Sequence, residues 1–148
     1  VAIDNTKLHR FEQPFKMTGT SVPRIYCGAG NYQTDQISNG ANEANPYFIN
    51  SLAGNPNIKM DTWYTIVGYI YPIGTPNGTT GLLSGGLYDP NLGRYVQAGN
   101  PAPRWAASNQ LQGSGPTTTF NFRTFVVSSN NTNRFIVAEP RLFQIDNF

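Results

Sequence analysis

The chain offers few side chains for nucleophilic or acid–base catalysis. His9 is its only histidine and Cys27 its only cysteine. A Ser-His-Asp or Cys-His arrangement would depend on His9, because these nucleophiles need an imidazole base. His9 lies in LHRFE, near no nucleophile motif, and Cys27 lies among apolar and aromatic neighbours, as a buried cysteine does. The sequence therefore predicts no catalytic residue and no enzyme activity.

Acidic residues are also few. The chain has eight: Asp4, Glu12, Asp35, Glu43, Asp61, Asp89, Glu139 and Asp146. Two facing carboxylates could hydrolyse a glycoside, so a polysaccharide hydrolase or lyase is one of three hypotheses for the function. Asp and Asn oxygens suit calcium better than zinc. The one metal we consider is a structural calcium at Asp4 and Asp146, which lie near strand ends; otherwise no cofactor is expected.

Aromatic and arginine side chains form the most informative pattern. A ring can cover the C–H face of a pyranose, while planar amide and guanidinium groups bind its hydroxyls. Trp105 and Arg104 lie in GNPAPRWAASNQLQGSGP, a polar stretch that predicts a loop, where a tryptophan has few packing partners. The residues that we predict for ligand binding are Trp105, Arg104, Tyr88, Tyr95, Arg123, Trp63 and Asn121. The alternative for each ring is a place in the core, and for Arg123 an ion pair with Glu139.

Composition narrows the classes of partner. Charged residues make up 12% of the chain, and the formal net charge is only +2, with seven arginines and three lysines scattered along the sequence. Nucleic-acid binding needs clustered cations, and membrane insertion needs a long apolar run, so neither is expected. Seventeen asparagines and many Gly, Thr and Ser residues indicate a polar, uncharged surface. Such a surface is typical of extracellular or virion proteins and suits carbohydrate.

Alternating side chains predict strands in the second half of the chain. DTWYTIVGYIYP (61–72) is apolar or aromatic on both faces, which predicts a central strand that is covered on both sides, or one that is covered on one side and exposes rings on the other. TTTFNFRTFVVSS (117–129) alternates in the same way, and RFIVAEPRLFQI (134–145) returns after a polar loop. Pro140 cannot donate a ladder hydrogen bond, so the last strand lies at an edge or bulges there.

Residues 80–98 predict a hairpin. GGLYDPNLGRYV places Asp89, Pro90 and Gly93 between two short strands. Asp89 can accept hydrogen bonds from the turn, Pro90 presets the backbone, and Gly93 can adopt a left-handed conformation. Tyr88 and Tyr95 would then be neighbours across the two strands.

The first sixty residues are less regular. Short strands are predicted at 7–14 and 22–27, and a long Asn- and Gly-rich loop at 29–60, within which EANPYFINSLAG could form one helical turn. No longer helix is indicated. Short strands separated by turn residues predict an all-β protein, an antiparallel β-sandwich or jelly roll. We expect residues 1–148 to form a single β-sandwich domain that is a fragment of a longer chain.

The order of these segments resembles the latter half of jelly-roll carbohydrate-binding modules of the galactose-binding-like kind. The segments that carry the resemblance are WYTIVGYIYP, GGLYDPNLGRYV, TFNFRTFVV and RFIVAEPRLFQID, within residues 61–146. The Asn-rich segment 29–60 has no counterpart in that pattern. The composition also resembles distal receptor-binding domains of phage tail fibres and tailspikes, which bind host-surface glycans and are usually trimeric. Both resemblances imply sugar binding without chemistry, and neither assigns the binding residues.

Two further hypotheses stand beside the hydrolase. The first is a non-catalytic carbohydrate-binding domain that attaches to a cell-surface glycan or an extracellular polysaccharide, in an extracellular or virion location. The alternative is a structural or assembly domain of a viral fibre or virion protein, in which the rings form the core and the subunit contacts. A homotrimer is the assembly expected from the tail-fibre resemblance.

Overall fold

The computed structural model describes residues 1–109, 115–127 and 132–146. Within these ranges the chain forms eleven β-strands and no helix, so no helix there could span a membrane. The strands are β1 (Leu8–Thr18), β2 (Arg24–Ala29), β3 (Thr34–Asp35), β4 (Tyr47–Ile49), β5 (Trp63–Ile70), β6 (Gly86–Asp89), β7 (Arg94–Ala98), β8 (Arg104–Trp105), β9 (Phe122–Val127), β10 (Arg134–Val137) and β11 (Arg141–Ile145).

The strands form antiparallel sheets that pack face to face. The largest sheet has six strands in the order β10-β1-β5-β6-β7, with β11 also paired to β1. A second sheet has the order β4-β2-β9, and β3 pairs with β8. The prediction of an all-β, antiparallel β-sandwich is confirmed, while the finer assignment to a jelly roll stays a prediction.

The core lies between the six-stranded sheet and the β4-β2-β9 sheet. Alternate side chains of β1 point inward, and Phe11 contacts the rings of Phe48 and Phe122 with centroid distances of 5.2 and 5.7 Å. Gly68 of β5 lets the two sheets approach, because a Cβ at this position would lie 2.3 Å from the Phe48 ring. The sandwich thus depends on large rings from one sheet filling space that a glycine leaves open in the other.

The two strongest strand predictions are confirmed. The segment 61–72 contains β5, which lies between β1 and β6 inside the six-stranded sheet. β6 and β7 form the predicted hairpin. The Asp89 carboxylate accepts hydrogen bonds from the backbone N–H groups of Asn91 and Leu92 at 2.8 and 3.3 Å. Gly93 has a φ of 64°, in the left-handed region that glycine adopts without strain.

Other segments differ in detail from the predictions. The segment 134–145 forms two strands, β10 and β11, which both pair with β1 at the outer side of the sheet, with Pro140 between them. The loop predicted at 29–60 contains β3 and β4, and the helical turn predicted there is wrong, because residues 47–49 pair with β2. The predicted strand 117–129 ends at Val127 as β9, and residues 128–129 lie outside the described ranges.

Candidate functional site

A cleft of about 810 Å³ opens at one end of the sandwich. Its lining comes from three loop segments, within residues 36–50, 78–84 and 99–103. The volume falls in the range of about 300–1,000 Å³ that small-ligand sites occupy. The cleft is therefore large enough for a ligand of a few sugar rings.

Asparagine side chains and backbone contacts fix the first wall of the cleft. The backbone N–H of Asn100 donates to the Phe48 carbonyl at 2.8 Å. Its side-chain Nδ2 donates to the Tyr47 carbonyl at 2.8 Å and to Asn50 Oδ1 at 3.3 Å. These three bonds attach the segment 99–103 to β4, which is itself part of a sheet. Tyr47 and Asn50 are thus held beside Asn100 by rigid structure.

The opposite wall is the loop 72–85, which leaves β5 and enters β6. The N–H of Gly78 donates to the Ile37 carbonyl, and the N–H of Leu83 donates to the Tyr71 hydroxyl, both at 2.8 Å. Ile37 is buried with Tyr71 and Ala102 in a small apolar cluster beneath the loop. Backbone bonds and this cluster together hold an otherwise polar, glycine-rich segment in place.

The lining is nearly neutral and combines polar with apolar side chains, the apolar ones being Ile37, Pro46, Leu82, Pro101, Ala102 and Pro103. Amides, hydroxyls and one aromatic ring contribute, from Gln36, Asn50, Asn100, Ser38, Thr79, Thr80, Ser84 and Tyr47. Among the described residues that line the cleft, Glu43 alone carries a charge. This set offers hydrogen-bond donors and acceptors, apolar side chains and no cation. It fits an uncharged ligand with many hydroxyl groups.

Glu43 is half-buried in the cleft lining. Burial raises the pKa of its carboxyl, and a hydrogen bond with the Gln36 side chain opposes that shift. Its backbone N–H donates to the Thr34 carbonyl at 2.9 Å, which fixes the residue next to β3. A carboxylate in this position is a strong acceptor for hydroxyl groups of a ligand.

Trp105 does not occupy the exposed loop that the sequence predicted. The side chain is 0% exposed, and its Nε1 donates to His9 Nδ1 at 3.1 Å. Its ring also meets Phe120 edge to face, with centroids 5.9 Å apart. The prediction of an exposed ring is wrong because β8 pairs with β3 and carries Trp105 into the core. The predicted loop continues into residues 110–114, outside the described ranges.

Arg104 lies behind the cleft and does not line it. Its Nη1 donates to the Thr75 carbonyl, and its Nε lies 4.0 Å from Asp35 Oδ2. Asp35 also accepts a hydrogen bond from Asn42 Nδ2 at 2.8 Å. Arg104 thus connects the loop 72–85 to β3, so its role in this structure is to position one wall of the cleft.

Arg123 and Asn121 are near the second sheet, and neither lines the cleft, although Arg123 bonds to the segment that carries Glu43 and Tyr47. Arg123 Nη2 donates to the Ala44 carbonyl at 3.3 Å and to Asn45 Oδ1 at 3.2 Å. The predicted ion pair with Glu139 is wrong, because Arg123 lies on β9 of the second sheet, whereas Glu139 follows β10 of the first. Asn121 is exposed, and its backbone N–H donates to Gln33 Oε1 at 3.0 Å.

The remaining predicted rings share the outer face of the six-stranded sheet. Tyr88 and Tyr95 are opposite each other on β6 and β7, with ring centroids 5.5 Å apart and nearly perpendicular planes, as the sequence predicted. Trp63 begins β5, is 41% exposed and lies 5.7 Å from Lys16 Nζ. None of the three lines the cleft, so the structure places predicted rings and cleft on different surfaces.

Asp4 and Asp146 already have partners. Asp4 Oδ1 accepts hydrogen bonds from the N–H and the hydroxyl of Thr6, which lower the pKa of this carboxyl. Asp146 Oδ1 lies 3.8 Å from Lys7 Nζ and accepts from Gln144 Nε2. Residues 1–109, 115–127 and 132–146 contain no group of three or more His, Cys, Asp or Glu side chains that could hold a metal. The calcium site stays a prediction.

Sequence reasoning missed the residues that line the cleft. Tyr47, Asn50 and Glu43 belong to a segment that the sequence describes only as a loop, and Asn100 lies far from them in the chain. The available signal was the composition of the Asn-rich segment 29–60 and of the Gly- and Thr-rich loop 72–85, which does not show that the two meet. Comparisons of the chain with protein-family models, with curated proteins and with solved structures found no match. The interpretation of function therefore depends on the cleft and its lining.

Proposed function

We propose that this protein is a non-catalytic carbohydrate-binding domain whose ligand, a neutral stretch of a cell-surface or extracellular glycan, occupies the cleft. The observation that carries this proposal is the cleft itself, about 810 Å³ in volume and lined by amides, hydroxyls, one ring and several aliphatic and proline side chains, with a single carboxylate among its described lining residues. A sugar ring is uncharged, has many hydroxyls and has one apolar face. Each of these features has a counterpart in the lining.

Tyr47 supplies the ring. It lies against Tyr26 with centroids 5.2 Å apart and meets Phe125 edge to face at 6.4 Å. Neighbouring rings restrict its rotamers, so little side-chain entropy is lost when a ligand stacks on it. Such a prearranged ring is the usual anchor in a small-ligand site.

Amide and carboxylate groups supply specificity. Asn50 is exposed at the cleft, and Asn100 fixes its Oδ1 by a hydrogen bond of 3.3 Å. The Asn50 Nδ2 group therefore has a defined orientation for a ligand oxygen. Glu43 offers an acceptor for hydroxyl hydrogens, and a charge-assisted bond of this kind is stronger than a neutral one. Selectivity follows, because a ligand that lacks these hydroxyls would leave polar groups unpaired.

A glycan array followed by calorimetry tests the proposal. We expect the native protein to bind at least one neutral glycan, and Asn50→Ala to weaken that binding about tenfold, because it removes a well-oriented hydrogen bond. Asn91→Ala is the matched control, since Asn91 is an exposed asparagine in the β6–β7 turn, outside the cleft. If no neutral glycan binds, or if both variants lose affinity equally, the cleft is not a carbohydrate site.

A second candidate function is assembly into a fibre or virion. β9 lies at the edge of the second sheet, and Phe122, Phe125, Val126 and Val127 are 40–56% exposed along it. An apolar edge strand with few charges tends to pair with another chain, and Arg123 is the one charged residue of β9. Sedimentation velocity distinguishes the two functions. A stable trimer that Val126→Lys dissociates, together with no glycan affinity, would favour the assembly role.

A further inference from the structure

The outer face of the six-stranded sheet carries a second group of rings and charges. Phe11 of β1 points into the core, so its neighbours Arg10 and Glu12 point outward. Arg10 is opposite Tyr69 on β5 and Phe143 on β11, and Glu12 is opposite Arg141. We name this surface the tyrosine face and define it by Arg10, Glu12, Tyr69, Tyr88, Tyr95, Arg141 and Phe143.

Two exposed rings flank a buried one on this face. Tyr95 is 44% exposed and Phe143 is 42% exposed, while Tyr69 between them is buried. Tyr95 and Tyr69 share a side-chain hydrogen bond, and burial, with the nearby Tyr69, raises the pKa of Tyr95. Tyr88 supports Tyr95 edge to face. The exposed Tyr95 ring is thus fixed by its neighbours, as a stacking platform requires.

The charges on the tyrosine face are predominantly positive. Arg10 Nη2 donates to Glu12 Oε1 at 2.6 Å, and its guanidinium lies 6.0 Å from the centre of the Tyr69 ring. Arg141 is exposed on the other side of Glu12. Arg10, Arg141 and the Glu12 carboxylate thus lie on the same side of the sheet, and Lys16 beside Trp63 adds another cation to that side of β1. A guanidinium has five N–H donors, so Arg10 retains donors after its bond to Glu12.

The pairing of ring and cation identifies the chemistry of a ligand. Phe143 and Arg10 are cross-strand neighbours, whose Cβ atoms lie about 5 Å apart in such a pair. An acidic pyranose has both an apolar C–H face and a carboxylate on one small ring. Guanidinium groups bind carboxylates in a two-pronged geometry, and exposed rings bind the apolar face. The tyrosine face offers both in adjacent positions, whereas the cleft has no cation in its lining.

We propose that the tyrosine face is a second carbohydrate site, which binds acidic sugars with their carboxylates at Arg10 and Arg141 and their rings on Tyr95 and Phe143. The cleft and this face share no lining residue. They adjoin, because Ile37 and Ala102 of the cleft pack in one buried cluster with Tyr69. A glycan that contains both neutral and acidic sugars could occupy both sites, although each site is defined by its own residues.

Alginate, a polymer of uronic acids, is the probe, and dextran is the neutral comparison. We expect the native protein to bind alginate in affinity electrophoresis, and Tyr95→Ala and Arg141→Gln each to weaken that binding about tenfold. Raising the ionic strength from about 0.1 M to about 1 M should weaken alginate binding by the native protein, because the Debye length falls from about 10 Å to about 3 Å. Circular dichroism of each variant verifies folding, and Arg141→Gln changes an exposed side chain that should leave the fold intact.

Two control variants match these changes outside the tyrosine face. Leu92→Ala removes an exposed apolar side chain from the same hairpin, and Arg24→Gln removes an exposed arginine from β2. Both should bind alginate like the native protein. Equal weakening by Arg24→Gln would indicate non-specific charge attraction and would overturn the proposal. Absence of alginate binding, or native affinity in both Tyr95→Ala and Arg141→Gln, would also overturn it.

The two carbohydrate sites can fail separately. The cleft proposal fails if no neutral glycan binds, while alginate binding still reports on the tyrosine face. If Asn50→Ala abolishes alginate binding and Tyr95→Ala does not, acidic sugars bind in the cleft. The proposal that the tyrosine face binds them is then wrong. If alginate binding is absent but neutral glycans bind, the cleft remains a carbohydrate site and the tyrosine face does not.

Discussion

The contact between His9 and Trp105 is the most informative pair at the scale of single residues. A tryptophan N–H can only donate, so neutral His9 accepts at Nδ1 and carries its proton on Nε2. Protonation of Nδ1 would direct a hydrogen toward the Lys7 carbonyl, 3.1 Å away, and break the bond from Trp105. His9 is buried, and desolvation lowers its pKa below the ordinary value. The chain's one histidine is therefore a neutral member of the core.

The burial of His9 predicts that the folded protein loses stability as the pH falls. The pKa of His9 lies below 6.5 in the folded state, so the unfolded state binds more protons once the pH falls below about 6.5. The stabilising contribution is fully present above that pH and is lost as the pH falls through the folded pKa. Urea unfolding at several pH values measures it. His9→Gln should flatten the curve between about pH 6.5 and the folded pKa; an unchanged slope in that variant would contradict the assignment.

Glu43 should change the free energy of unfolding with pH in the opposite direction to His9. Burial raises its folded pKa above 4.5, so the folded state retains a proton that the unfolded state has already lost. Its unfavourable contribution is absent at low pH and appears as the pH rises from about 4.5 through the folded pKa. Unfolding free energies of native protein and Glu43→Gln, measured across this window, should diverge in favour of the variant as pH increases. Parallel curves would show that Glu43 is ordinarily solvated.

The two tryptophans should differ sharply in stability. Trp105→Ala empties a fully buried site and leaves the His9 ring without its donor, so the free energy of unfolding should fall by about 3–5 kcal/mol. Trp63→Ala removes a side chain that is 41% exposed, and the loss should be about 1 kcal/mol or less. Chemical denaturation of both variants measures the difference. Similar losses would mean that Trp105 is not in the core.

At the scale of elements, the sequence predicted the strands and turns whose formation depends on residues close together in the chain. β5 follows from alternation within its own residues, and the β6–β7 turn follows from Asp89 and Gly93. β4 could not be predicted, because only pairing with β2 makes a strand of three residues. Trp105 was misplaced for the same reason, since its partner His9 is 96 residues away in the chain. A side chain with polar neighbours in the sequence is exposed only when no residue from a distant part of the chain covers it.

Gly68 tests how the two sheets are joined. A methyl group there would lie 2.3 Å from the Phe48 ring, so Gly68→Ala should cost about 1–3 kcal/mol through overpacking. It should also weaken neutral-glycan binding, because a displaced β4 carries Tyr47 with it. Gly74→Ala is the control, since nothing lies within 4 Å of its new Cβ. Thermal melting compares the two, and equal melting temperatures would show that the sheets tolerate the extra methyl group.

At the scale of the whole molecule, the sandwich brings three separate loops to one end. The sequence shows that these loops are polar and rich in Asn, Gly and Thr, but not that they meet. Their meeting depends on long-range bonds, such as the one from Asn100 N–H to the Phe48 carbonyl. None of the seven predicted binding residues lines the cleft, and carbohydrate as the ligand stays a prediction.

The cleft and the tyrosine face differ in their charged side chains. The cleft has one carboxylate among its described lining residues, while the tyrosine face combines Arg10 and Arg141 with exposed rings. Two of the chain's ten Lys and Arg residues thus lie beside rings on this face, and none lines the cleft. This distribution is the physical basis for expecting a neutral ligand in the cleft and an acidic one on the sheet.

The most direct test of the central claim is a calorimetric titration of native protein and Tyr47→Ala with the neutral glycan that the array identifies. The Tyr47 ring is held by Tyr26 and Phe125 and is the one aromatic side chain among the described residues of the cleft lining. We predict saturable binding by the native protein and at least about a tenfold loss of affinity in Tyr47→Ala. Equal affinity of the two proteins, in folded samples, would contradict carbohydrate binding in the cleft.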